Sequence, residues 1–346
     1  YANHAEYILE NQTALTVEAV NERLSQLASL ALTNVLEELA SLQDIITYDG
    51  QDFELASWDW DFYSERLRTQ RFDFDADDLS PYFELDNVLQ RGVFYAAENL
   101  FGITFQERFD LPVYQEDVRV FEVFDVNGET LALFIADFYA DFHPRKGKRN
   151  VAWMTSYKTQ QIKNGINERP QVSIVCNFTK PTKTTPSLLT FNEVTTLFHE
   201  FGHALHGMLA NTIYGSLSGT SVSWDFVELP SQILENWCYE KEALELFAKH
   251  YKTGEVLPMK YIEKIKESAS FHEGMQTLRQ LSFGLLDMHW HGQNPSGIKS
   301  VKEFENNAFA DIKLYPDVSE NCMSTAFSHI FQGGYSAGYY SYKWAE

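Results

Sequence analysis

The stretch His199-Glu200-Phe201-Gly202-His203 sets two imidazoles four residues apart, with a carboxylate beside the first. On a helix, positions i and i+4 share a face about one turn apart. Both rings can then reach one zinc ion, and Glu200 is placed to take a proton from an attacking water. The flanks read as helix. Asn192 stands at the expected N-cap, and Val194, Leu197, Phe198, Phe201, Ala204 and Leu205 supply apolar faces. The competing reading is a chance match in a helix with two core histidines.

Two histidines and an open position need a third protein ligand. A metzincin would carry glycine three residues after His203 and histidine three further on; those positions hold His206 and Leu209, which excludes that class. A carboxylate from a following helix is the alternative. Asp225, Glu228 and Glu235 fall at i, i+3 and i+10 of one expected helical segment, and so share a face. Spacing leaves the three open. Such acids ordinarily face solvent, but Val227, Leu229, Ile233 and Leu234 crowd the segment toward burial.

The elements that must position these groups are mostly helical. Residues 3 to about 47 carry Leu24, Leu27, Leu30, Leu32, Val35, Leu36, Leu39 and Leu42 near helical spacing, and helical blocks follow Ser57 and Ser80-Pro81. The period then changes to two. Val118 to Phe124 and Thr130 to Phe138 flank Asn127-Gly128, a hairpin signal, and Gln171 to Phe178 reads as one more strand. That last strand is a candidate to pair with extended substrate by strand addition, or else a plain structural strand. Between them lies the basic stretch Pro144 to Arg149. Beyond the zinc-motif helix, Phe226 to about His250 and Tyr261 to about Trp290 read as long helical segments. The expected fold is mainly α (α+β) with a small antiparallel sheet. It divides into a helical region over residues 1–110 and a catalytic region over 111–346.

The 346 residues hold 27 basic and 49 acidic side chains, a net charge of −22, and are 44% hydrophobic. That charge argues against nucleic acid or an anionic membrane as partner, since both reward positive charge. No run of 18 apolar residues reads as a membrane span. Three widely spaced cysteines make no disulfide framework and suit a reducing, cytoplasmic compartment. The chain opens at Tyr1 without methionine and stops at Glu346 inside an apolar run, so it reads as a fragment of a larger protein.

Taken together, His199 to His206, Ser218-Gly219-Thr220 and Asp225 to Gln232 resemble the thimet oligopeptidase, neurolysin and peptidyl-dipeptidase Dcp family of zinc peptidases. The resemblance runs nearly the whole chain. Trp58-Asp59-Trp60, Phe62-Tyr63, Pro81 to Leu85, Asp117 to Val120 and Ala152-Trp153-Met154 match its bacterial branch, nearest to Dcp. It implies a helical zincin-type domain, one zinc per chain, and Glu228 as third ligand beside His199 and His203. Glu235 and Asp225 become candidates to orient the histidines; His206 does the same or packs in the core. The family's C-terminal loop matches His329, Gly333, Gly334, Tyr335, Tyr339, Tyr340 and Tyr342. There the resemblance implies that His329, Tyr335 and Tyr342 stabilise the oxyanion, while Tyr339 and Tyr340 also fit an aromatic core. One departure is Asn150-Val151, where the family has Gly-Gly before Ala152-Trp153.

The implied activity is zinc-dependent hydrolysis of short peptides with Glu200 as base, releasing C-terminal dipeptides. Rivals are an endo-acting oligopeptidase, a zinc hydrolase of non-peptide amides, and a helical binding module with a residual zinc site.

Overall fold

The stretches with period two become strands, and the leucine-rich run near the start becomes one long helix. The computed structural model describes residues 1–72, 78–140, 148, 151–316, 318–332 and 334–346. Gly333, Asn150 and all of the basic stretch except Lys148 lie outside the described residues. The chain forms two units. One comprises Tyr1–Asp73, Ser223–Phe226 and Glu267–Glu346; the other comprises Phe74–Val222 and Val227–Lys266.

The second unit is built on a sheet. Its strands are β1 (Thr104–Glu107), β2 (Arg119–Phe124), β3 (Thr130–Tyr139), β4 (Trp153–Lys158), β5 (Gln161–Lys163), β6 (Ile166–Glu168) and β7 (Gln171–Phe178). Five pair in the order β1-β2-β3-β7-β4, while β5 and β6 form a separate hairpin. Asn127-Gly128 makes the expected turn between β2 and β3: Gly128 has φ of +79°, and Asp125 accepts the N–H groups of Asn127 and Glu129. The mainly helical fold with a small sheet is present, but the sheet is mixed, because β3 and β7 run parallel. Parallel neighbours need a crossover, and the chain between them supplies it with β4 and the hairpin. β7 is an interior strand, bonded to β3 on one side and β4 on the other. It therefore offers no free edge for an extended peptide; β1 and β4 are the edges.

The helix Phe191–Met208 packs on this sheet. Its N-cap is Thr190, not Asn192. The Thr190 hydroxyl accepts from Glu193 N–H at 3.2 Å and the Glu193 carboxylate accepts from Thr190 N–H at 2.8 Å, a reciprocal capping box that fixes the start two residues earlier. Phe201 is fully buried, with ring centroids of Phe134, Phe94 and Phe105 at 5.4, 5.7 and 5.9 Å. Burying such a ring contributes about 1.5–3 kcal/mol.

The segment after it is not one helix. Trp224–Phe226 is a 3₁₀ turn, the helix Leu229–Glu235 begins with Pro230 in its first turn, and Asn236–Tyr239 is again 3₁₀ before Lys241–Phe247. The later expected run is broken too, into Met259–Ser268 and Glu273–His291, with His272 at φ +56° between them.

In the first unit, the helix Val17–Tyr48 spans 32 residues, about 48 Å at 1.5 Å per residue. Thr16 caps it, and it buries Val20, Leu24, Ala28, Ala31 and Val35 at helical spacing. Leu278 and Leu281 of the helix Glu273–His291 share that core. The Glu38 carboxylate reaches across to accept the N–H groups of Gly274 and Met275, both at 2.9 Å. No helix among the described residues is long and apolar enough to cross a membrane.

Candidate metal centre

Helical spacing brings His199 and His203 together as expected. Their rings lie 5.0 Å apart, nearly perpendicular. The helix Leu229–Glu235 and its N-cap residue Glu228 supply the carboxylates because the helix can approach closely. A Cβ built on Gly202 would lie 2.5 Å from the Pro230 carbonyl oxygen and 2.6 Å from Ser231 Cα. Only glycine permits that contact.

At that crossing Glu228, almost fully buried, points one oxygen at both rings. Its Oε2 lies 3.1 Å from His203 Nε2 and 3.4 Å from His199 Nε2. The Ser231 hydroxyl donates to the Glu228 carbonyl at 2.7 Å and reaches the same Oε2 at 3.1 Å, fixing the side chain from behind. One donor atom from each of His199, His203 and Glu228 lies within 4.8 Å of the others. Two imidazole nitrogens and one carboxylate oxygen, converging and largely buried, fit a zinc ion with an open fourth position.

Glu235 lies 2.6 Å from His199 Nδ1. That contact sets which ring nitrogen carries the proton and turns Nε2 inward. Burial disfavours charge on His199, yet the bonds to Glu228 and Glu235 and the field of Glu200 push its pKa up to about 10. Burial likewise works against the Glu228 carboxylate, but hydrogen bonds from His199 and His203 hold it well below the usual range. Both shifts express the pairing of imidazole with carboxylate inside the cluster.

Glu200 is 6% exposed and outside the converging group. Its Oε2 is buried without a hydrogen-bond partner among the described residues. Burial raises its pKa, partly offset by the two histidines. It lines a cavity of about 240 Å³ with Ala152, Thr195, Thr196, His199 and Glu235. Ala152 immediately precedes the edge strand β4.

Asp225 is not a partner of the histidines. Its carboxylate accepts the N–H groups of Thr13 and Ala14, at 3.0 and 2.9 Å, and the Tyr340 hydroxyl at 2.8 Å. The 3₁₀ turn that carries it belongs to the first unit, so the assumption of a single helix fails here. His206 lines a different, apolar cavity of about 830 Å³ with Leu205, Leu209, Ile233 and Trp237. Burial lowers its pKa.

His329, Tyr335 and Tyr342 gather in the first unit. Tyr335 and Tyr342 stack at 5.3 Å with an interplanar angle of 15°, and His329 lies 5.9 Å from Tyr335. Tyr339 and Tyr340 are buried and commit their hydroxyls to Gln280 and Asp225. Sequence reasoning missed Ser231, Gly202 as a crossing point, and Asp287. The last had a signal: an acid on an apolar helix, with His291 four residues on.

A profile for Peptidase family M3 matches residues 1–346. The chain is 41% identical over 348 residues to a dipeptidyl carboxypeptidase of Escherichia coli (strain K12), covering 100% of this chain and 50% of that protein. It is 38% identical over 349 residues to an oligopeptidase A of Salmonella typhimurium, covering 100% and 51%. It is 34% identical over 361 residues to a saccharolysin of Saccharomyces cerevisiae, covering 100% and 50%. The chain thus spans about half the length of the curated relatives it matches. Because the profile runs through both units and the converging His199, His203 and Glu228, the chain belongs to Peptidase family M3.

Proposed function

We propose that this chain carries the catalytic groups of a zinc-dependent peptidase that cleaves short oligopeptides and releases C-terminal dipeptides. The observation that carries the reading is the convergence of His199, His203 and Glu228 beside a buried Glu200 oxygen that has no hydrogen-bond partner among the described residues. Zinc, when bound, supplies Lewis-acid polarisation of the scissile carbonyl and a lowered pKa for the attacking water.

The chain's own residues do the rest. His199, His203 and Glu228 hold the ion, and Glu235 keeps His199 in the right tautomer. Glu200 Oε2 accepts the proton of the attacking water and passes it to the leaving amine. The edge strand β4 offers backbone groups to an extended peptide beside the small cavity. By the family resemblance, His329, Tyr335 and Tyr342 donate to the developing oxyanion. The three cysteines are free thiols, which accords with a reducing, cytoplasmic setting.

The relatives also favour a second reading, because oligopeptidase A matches nearly as well as dipeptidyl carboxypeptidase. Mass spectrometry of digests by the full-length protein, on peptides of graded length with free and amidated C-termini, separates the two. Stepwise loss of dipeptides from free C-termini supports the first reading. Internal cuts indifferent to amidation support the endo-acting one, and absence of any cleavage by the zinc-loaded protein rejects both.

A further inference from the structure

Asp287, on the helix Glu273–His291, is fully buried and lies outside the metal group. Its carboxylate accepts three successive backbone N–H groups of one loop: Ala337 to Oδ1 at 2.8 Å, and Gly338 and Tyr339 to Oδ2 at 2.9 Å each. His291 Nδ1, one turn along the helix, lies 2.7 Å from Oδ1. A buried carboxylate is costly unless hydrogen bonds replace its water. Four donors converge on this one.

The loop needs such an anchor. Ala337 has φ of +56°, which costs an L-residue roughly 1–2 kcal/mol. Gly338 N–H also reaches the Tyr335 carbonyl at 2.9 Å, so fixing Gly338 fixes the backbone of Tyr335. Trp224 closes the other side: a Cβ on Gly338 would lie 2.8 Å from its Cδ1. The anchored residues are therefore the short bridge between Tyr335 and Tyr342, whose rings stack.

We propose that Asp287 is a positioning residue for peptide hydrolysis: it locks the backbone of residues 337–339 so that the Tyr335 and Tyr342 phenols are held ready for the oxyanion. The inference rests on the reading in which those phenols donate in the transition state. Such donors act by preorganisation, and a displacement of about 1 Å costs on the order of 100-fold in rate.

The test uses the full-length, zinc-loaded protein. Asp287→Asn keeps the shape but turns one acceptor into a donor facing backbone N–H groups. We expect zinc content and KM unchanged, kcat lower by about 10- to 100-fold, and faster hydrogen exchange over residues 335–342. Added to Tyr342→Phe, Asp287→Asn should cost little more, because both changes disable one device. Full additivity, or unchanged kcat in Asp287→Asn while Tyr342→Phe or Tyr335→Phe lowers it, overturns the positioning role alone. If both tyrosine variants keep wild-type kcat, the donor reading falls and takes the inference with it. Should Asp287→Asn not fold, His291→Leu removes one donor and leaves the three amide bonds. A several-fold loss of kcat at constant KM is then expected, and no change overturns the proposal.

Discussion

Gly202 presses against Pro230 so closely that a single added methyl would sit 2.5 Å from the Pro230 carbonyl oxygen. This contact lets Glu228 and Glu235 reach the histidines. Gly202→Ala should force the two helices apart, costing about 1–3 kcal/mol by overpacking, and zinc affinity should fall although no ligand is altered. Thermal melting and zinc titration check both. An unchanged affinity would mean that the crossing does not set the ligand geometry.

The three acids that sequence spacing left open should now separate. Glu228→Ala should lower zinc affinity most. Glu235→Ala should cost about 10–100-fold, because it only orients His199. Asp225→Ala should leave affinity unchanged and lower stability by about 2–4 kcal/mol, since the Thr13 and Ala14 N–H groups and the Tyr340 hydroxyl lose their acceptor. Competition with a chelator and urea melts measure the two effects. Equal affinities in all three variants would contradict the assignment.

A pH dependence of stability follows from His272. Its ring is buried against Phe271 and Trp60, with Nδ1 2.8 Å from the Ser64 hydroxyl. Burial, aided by Arg71, pushes its pKa down to about 4. An unfolded histidine titrates near 6.5, so between those values the unfolded chain binds the extra proton. This contribution to stability is complete above about pH 6.5 and is lost as pH falls toward 4. His272→Asn tolerates the positive φ and should melt with a weaker acid dependence across that window. Parallel pH curves for variant and wild type would rule this out.

How much was legible follows from how local each feature is. The pairing of His199 with His203 is a consequence of helical period alone, and β7 was readable from Val172, Ile174, Val175 and Phe178, β-branched and aromatic residues that a central strand buries. Thr190 with Glu193 carried a capping-box signal that Asn192 obscured. Asn164-Gly165, with φ values of +53° and +78°, turns the hairpin between β5 and β6, but its strands are only three residues long. Glu228 could not be singled out by spacing, because the segment from Asp225 to Glu235 is not one helix. The local signal at Asp287 was its pairing with His291 one turn on; its hold on Ala337 spans 50 residues and could not be read from it.

The central claim is that His199, His203 and Glu228 hold a catalytic zinc and that Glu200 moves the proton. The most direct measurement is Glu200→Gln in the full-length protein, with zinc stoichiometry and peptide hydrolysis recorded on the same sample. Losing the base should leave one zinc per chain and lower kcat by several orders of magnitude, with the fold unchanged. Wild-type hydrolysis in the variant, or loss of zinc on this change alone, would contradict the account.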